Sequence, residues 1–329
     1  MIAVADRLRA TIAAARWVET PPEDPYDFDG YIALLTTLYG IGREDLPVAR
    51  LAEGHVDAVQ IVRRHGSVEQ VDRLHRLLKD GAMLGVWNAG LPGEPLVLSA
   101  NRLSGGKSYA SGAGVLTHAL VTVDTQDGAQ LLLLDLARTI PSIERDWWRV
   151  TGMQRSETHR VRWGGSPILE GDRIGPPDCY AQEPHFSGGA LRFVAVHAGG
   201  VAGIFDRARD HLIDAGRADD PFQAARLAEL FQSADAAAAI VRRTAKRWFE
   251  EEGEARLARV ASARLAVAAI AERAIAVARK SVGLAGEFLT HPLSAAIADL
   301  TVYLRQPAPD AQRLRVGRAV AQGGLTPKL

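Results

Sequence analysis

The stretch Leu103-Ser104-Gly105-Gly106-Lys107-Ser108-Tyr109-Ala110-Ser111-Gly112-Ala113 lies in the one part of the chain whose apolar residues do not follow a helical period. From Met83 onward, Leu96-Val97-Leu98, residues 118–123 and residues 130–136 form short runs of β-forming residues. Gly105-Gly106 and Asp127-Gly128 read as turn formers between them. Thr158-His159-Arg160-Val161-Arg162-Trp163 alternates polar and apolar positions before Gly164-Gly165, as a half-buried strand does. Residues 82–184 are therefore expected to form an antiparallel β domain.

On both sides of this segment the period is helical. Residues 3–18 are rich in Ala, Leu and Ile and end at Thr20-Pro21-Pro22. Residues 49–62 and 70–78 repeat apolar positions three and four apart, and Ser67 is placed to cap the second of these helices. Residues 1–81 thus read as an N-terminal helical domain. After Pro184, Leu191, Val194, Ala195, Ala198, Val201, Ala202, Phe205, Ala208 and Leu212 mark one helix face. Residues 220–246 and 254–282 are long and Ala-rich, with charges at helical spacing, so residues 185–329 are expected to form an antiparallel helical bundle. The whole is an α+β chain of three parts.

At 329 residues the chain exceeds what one core usually organises. With 47% apolar and 24% charged residues its composition is that of a globular protein. Lys+Arg and Asp+Glu both number 39 without a long basic stretch, which argues against nucleic acid as a partner. The first residues lack the pattern of a signal peptide, and no uninterrupted apolar run approaches the roughly 20 residues of a membrane span, so a cytoplasmic location is expected. The only cysteine, Cys179, excludes an internal disulfide, and no Cys/His cluster has zinc-ligand spacing, so no metal is expected.

Three segments carry a resemblance to the acyl-CoA dehydrogenase superfamily, whose order of helical domain, β domain and helical bundle this chain shares. The stretch 103–113 resembles the family's "LNGxKxFISGA", which implies that Tyr109 and Ser111 line a flavin. Gly152-Met153-Gln154-Arg155-Ser156-Glu157-Thr158 resembles "GMRxSxS". His291-Pro292-Leu293 with Asp299 resembles "YPxERxxRD", although Ala295 and Ala298 replace its arginines.

The resemblance implies an FAD cofactor. Gly85-Val86-Trp87-Asn88-Ala89 stands where the family has "ALTEP", so Trp87 would pack near the ring and Asn88 would hydrogen-bond it; Trp87 as a plain core aromatic is the other reading. Arg217 stands near the family's arginine for the FAD phosphates, or else meets the end of the preceding helix. The family's glutamate base falls on Thr290 or Leu191, and neither can abstract a proton. Glu183 is one substitute if burial raises its pKa, with a capping or surface carboxylate as the alternative; His291 is the other, as base, flavin donor or structural residue.

The expected activity is an FAD-dependent oxidoreductase for an acyl thioester or similar small molecule, without the usual glutamate. A flavin monooxygenase of the same fold and a flavin-free structural subunit, completing an oligomer with a catalytic paralogue, are the other two readings. The family's way of building each flavin site with a neighbour's help implies a homo-oligomer.

Overall fold

The computed structural model describes residues 4–327; the first expected helix, from position 3, and the outer ends of the first and last expected domains fall partly outside them. Helices α1 (Val4–Ala14), α2 (Phe28–Glu44), α3 (Leu46–His65) and α4 (Val68–Lys79) come first. Strands β1 (Leu84–Trp87), β2 (Val97–Ser99), β3 (Arg102–Ala110), β4 (His118–Thr125), β5 (Gly128–Asp135), β6 (Ser142–Glu144), β7 (His159–Pro167) and β8 (Arg173–Ile174) follow. Helices α5 (His185–Gly188), α6 (Ala190–Asp214), α7 (Pro221–Glu250), α8 (Gly253–Val282), α9 (Pro292–Tyr303) and α10 (Pro309–Ala321) complete the chain. These elements group into two units, one built from the chain up to Asp24 with Arg50–Arg149 and Gln154–Gln182, the other from Pro25–Ala49, Val150–Met153 and everything from Glu183 onward.

In the first unit the strands form one sheet in the order β6-β7-β3-β2-β4-β5-β8, with β1 beside β4. Its long ladders, β3 with β7 and β4 with β5, are antiparallel; β1 runs parallel to β4. Ala58, Val59 and Val62 of α3 and Leu74 and Leu78 of α4 pack on Leu84, Leu120, Leu131 and Leu133 of the sheet. Cys179 belongs to the same core, 2% exposed, with its thiol toward the Ile174 carbonyl. Ser67 caps α4 as expected: its hydroxyl accepts from the Gln70 N–H, and the Gln70 side chain returns to the Ser67 N–H at 2.9 Å.

The Gly105-Gly106 pair is not a turn. Both glycines lie inside β3, Gly105 at φ +102°, and a Cβ there would stand 2.0 Å from the Pro95 carbonyl oxygen. At Gly106 a Cβ would meet the Val161 carbonyl oxygen at 2.6 Å. The residues are small because two neighbouring backbones press on the strand from both sides.

The second unit is a bundle around α6. Tyr31 and Leu35 of α2, Leu191, Val194 and Ala198 of α6, Ala237 and Val241 of α7, and Val260 and Val267 of α8 share its core. The α2–α6 seam is made by missing side chains. A Cβ on Gly199 would stand 2.1 Å from the Tyr39 carbonyl oxygen, and on Gly203 it would stand 2.3 Å from that of Arg43. Arg207 then closes the end of α2, donating to the carbonyls of Arg43 and Glu44 at 3.1 and 2.9 Å. The segment His185–Asp214 has the length and composition of a membrane span, but 78% of its apolar window is buried inside the protein.

Candidate functional site at the end of strands β3 and β7

Where β3 ends and β7 begins, Ala110 pairs with His159 after a register shift that begins at Lys107. On either side of that pair the backbone is strained. Tyr109 has φ 52° and Glu157 φ 45°, the left-handed region that a bulky side chain rarely occupies. Such residues cost of order 1–3 kcal/mol each and concentrate at binding sites.

The strain turns the Tyr109 ring outward, where it is 58% exposed. Its edge meets Trp147 at 5.0 Å between centroids and Trp148 at 6.3 Å, and the Arg160 guanidinium lies 4.9 Å over the Trp147 ring. Glu157 accepts from His159 Nε2 at 3.0 Å and from Arg145 at 3.4 Å, while the buried His159 Nδ1 has no hydrogen-bond partner among the described residues.

Ser111, two residues beyond Tyr109, is held on three sides. Its carbonyl accepts from the Trp87 indole N–H at 2.9 Å, and its hydroxyl accepts from Thr158 at 3.0 Å. The next two N–H groups, of Gly112 and Ala113, donate to the carbonyls of Ser156 and Glu157 at 2.9 and 3.0 Å. Trp87, 1% exposed and tilted against Trp163, thus supports Ser111 from within the core instead of offering its ring to the surface.

Asn88 is exposed, and its side-chain oxygen accepts from the Thr122 hydroxyl at 2.7 Å. Lys107 lies underneath, 6% exposed, donating to Thr122 at 2.9 Å and to the Asn88 carbonyl at 3.1 Å. Burial holds the Lys107 ammonium down to about 8, partly opposed by the charge of Asp124. The structure therefore brings Trp87, Asn88, Tyr109 and Ser111 to neighbouring positions at the C-terminal ends of β1 and β3, with the Ala89 carbonyl accepting from the Ser108 N–H at 3.0 Å.

Sequence reasoning missed Lys107, Trp147, Trp148 and Thr158 as parts of this place; the Trp pair five residues ahead of Gly152 was the available signal. It also missed His55. That side chain is wholly buried, accepts from the Leu84 N–H at 3.1 Å, stacks on Trp17, and is held down to about 4 by burial.

The remaining predicted residues belong to the second unit. Leu191 is sealed in the bundle core, and Thr290 is exposed. Glu183 is also exposed, so the burial that its use as a base required is absent; its carboxylate accepts from the Ser187 N–H at 2.9 Å and from the Ser187 hydroxyl. His291 caps α9, its Nδ1 accepting from the Leu293 N–H at 3.1 Å, which leaves Nε2–H to donate to His211 Nδ1 at 3.1 Å. Desolvation and the neighbouring His211 lower its pKa.

Arg217 donates 2.8 Å to the buried Gln223 amide oxygen once that amide is oriented to donate to Ser281. The free N–H groups of Phe222 and Gln223 at the start of α7 are claimed by the Asp220 carboxylate, each at 3.0 Å. This end of the helix carries its own anion. Asp299 accepts from the Met153 N–H, and a Cβ on Gly152 would collide with the Ala298 backbone at 2.1 Å. The start of the second motif and the aspartate of the third thus form one local structure.

No protein-family model matches the sequence, and comparison with curated proteins gives no match. Solved structures do match. The dibenzothiophene monooxygenase TdsC from Paenibacillus sp. A11-2 is 17% identical, with 97% of this chain and 95% of that chain covered at a TM-score of 0.78. TdsC has also been solved with FMN and indole. The glutaryl-CoA dehydrogenase of Mycobacterium smegmatis is 14% identical over 97% of this chain and 94% of its own, again at 0.78. KijD3, solved with FMN and a dTDP-linked amino keto sugar, is 19% identical over 98% and 92%, at 0.75. This chain therefore has the acyl-CoA dehydrogenase fold, in a divergent sequence.

Proposed function

We propose that the protein is a flavin-dependent oxidoreductase that works without an acyl α-proton base, and that it is of the monooxygenase type. The observation that carries this reading is the state of the two base positions: Leu191 has no access to solvent, and Thr290 has no carboxylate. Coupled α-proton and β-hydride removal from an acyl thioester needs such a base, which typically contributes about 10²- to 10⁴-fold.

An isoalloxazine needs a flat apolar surface and hydrogen-bonding groups for its polar edge. The exposed Tyr109 ring, the Ser111 hydroxyl and the exposed Asn88 side chain would meet that need. Bound flavin would supply two-electron transfer and, once reduced, reaction with O₂. Tyr109 would face the ring, Ser111 and Asn88 would fix its edge, and Trp147 and Trp148 would shield a planar substrate from water. Similarity to TdsC, solved with indole, and to KijD3, solved with an amino keto sugar, supports a small cyclic substrate. An adenylate half is not assumed, because Arg217 is engaged with Gln223 and Asp220 occupies the start of α7. Self-association belongs to the same proposal, supported by the exposed Phe222, Phe231, Phe288 and Leu289 of the bundle.

Titration of the purified protein with FMN and FAD, followed by anaerobic mixing with short- and long-chain acyl-CoAs, tests the reading. A yellow complex that acyl-CoA does not bleach, yet that oxygenates indole when supplied with reduced flavin and O₂, is the expected result. Rapid bleaching would restore the dehydrogenase reading, and a protein that takes up neither flavin would be a structural subunit.

A further inference from the structure

We propose that Ser156 and Thr158 are positioning residues, which orient the Ser111 hydroxyl as a fixed hydrogen-bond donor to the molecule bound beside Tyr109. This inference rests on the flavin reading above and deepens it.

A hydroxyl has one proton to give. Thr158 gives its proton to Ser111 at 3.0 Å. In the 2.8 Å contact between Thr158 and Ser156 the donor must then be Ser156. The chain of bonds therefore has a direction, Ser156 to Thr158 to Ser111. Ser111 already receives a hydrogen bond, and its own proton has no acceptor among the described residues. That proton is left for a ligand.

Ser156 is 1% exposed and Thr158 4%, so water does not compete for either hydroxyl. In such surroundings each bond polarises the next and strengthens it. The backbone bonds from Gly112 and Ala113 to Ser156 and Glu157 fix the distance between the two segments, and the strained Tyr109 and Glu157 lie on either side. The two sequence motifs are thus joined by a wire that fills one of the two acceptor positions of the Ser111 oxygen and leaves its proton for a ligand.

A fixed donor discriminates between redox states. The unprotonated ring nitrogens of an oxidised isoalloxazine accept hydrogen bonds, whereas on two-electron reduction a ring nitrogen carries hydrogen. A donating Ser111 favours the oxidised form and lowers the midpoint potential of the bound flavin. A Thr158 that merely filled space would have no such effect, and valine would replace it.

The test is the midpoint potential of bound FMN or FAD in the holoprotein, alongside its dissociation constant. Thr158→Val should reduce the preference for oxidised over reduced flavin about fivefold, a rise of about 20 mV for a two-electron couple. Thr158→Ser should keep the wild-type potential, and Ser156→Ala should shift it part of the way in the same direction. Ser111→Ala should give the full shift, and adding Thr158→Val to it should change nothing further. If Thr158→Val does not fold, Ser156→Ala and Ser111→Ala decide the matter. An unchanged potential in Thr158→Val, or additive shifts in the double variant, overturns the inference and leaves the flavin reading standing. If the wild type takes up neither FMN nor FAD, both fall together.

Discussion

The end of strands β3 and β7 in the first unit and the α2–α6 seam in the second are both places where two backbones come unusually close, but they are made by opposite means. In the first, side chains do the joining: the Trp87 indole, the hydroxyls of Ser111, Thr158 and Ser156, and the buried Lys107 cross-link the segments. In the second, side chains are removed, and Gly42, Gly199 and Gly203 let one helix rest directly on the carbonyls of its neighbour or receive that neighbour's backbone. The first kind of contact leaves polar groups that can act on a ligand. The second leaves only fit, so substitutions there should report on folding alone.

The largest effect should come from filling the seam. Gly199→Val places new atoms where even a Cβ would be 2.1 Å from the Tyr39 carbonyl oxygen, and should destabilise by about 3–5 kcal/mol in chemical denaturation. Gly40, on the same helix as Tyr39, has open space beside it, so Gly40→Ala should be neutral or stabilising by up to about 1 kcal/mol. Equal costs for the two would mean that the seam is not made by close approach.

Acid should weaken both units through one buried histidine in each. His55 is held down to about 4 and His197 to about 3, in both cases chiefly by burial, against an ordinary value of 6.5. Folded pKa values below the unfolded ones mean no contribution above about pH 6.5 and a progressive loss as pH falls from there toward 4, because only the unfolded chain takes up the proton. Each histidine should cost on the order of 3 kcal/mol at pH 4.5. Hydrogen exchange at pH 7 and 4.5 checks this by region, and His197→Leu should blunt the acid loss in the bundle but not in the sheet.

Next comes Lys107→Met, which keeps the length of the chain but loses the bonds to Thr122 and the Asn88 carbonyl. A cost of about 2 kcal/mol to the first unit is expected, together with weaker flavin binding, since Asn88 loses its support. The smallest effect is expected at Glu183→Gln. Its carboxylate is exposed and serves Ser187, so stability should change by no more than about 0.5 kcal/mol and flavin reduction rates not at all.

What could be read in the sequence was what is local. Ser67 with Gln70 forms a cap within four residues, and the alternation around Val161 marks a strand because its neighbours in sequence carry the pattern. Gly105-Gly106 was misread because the cause of its smallness, the backbones of Pro95 and Val161, comes from two other segments. Tyr109, Ser111, Trp87 and Asn88 were drawn together through resemblance alone, and that resemblance could not say that the Trp87 ring faces inward. Trp147 and Trp148 matched no motif; only the folded chain sets them against Tyr109. The same holds for Asp299, whose partner, the Met153 N–H, is distant in sequence.

The buried Cys179 makes the comparison experimentally separable. It is the chain's only thiol, it sits in the core shared by α3, α4 and the sheet, and burial raises its pKa further from the reactive thiolate. A maleimide or disulfide reagent should therefore be inert toward the native protein and should mark the moment at which the first unit opens, while opening of the bundle passes unlabelled. Mass spectrometry of timed labelling then yields an opening rate for one half of the molecule without any engineered probe. A cysteine introduced on an exposed bundle residue such as Ala224 would carry a fluorophore with no competing native site.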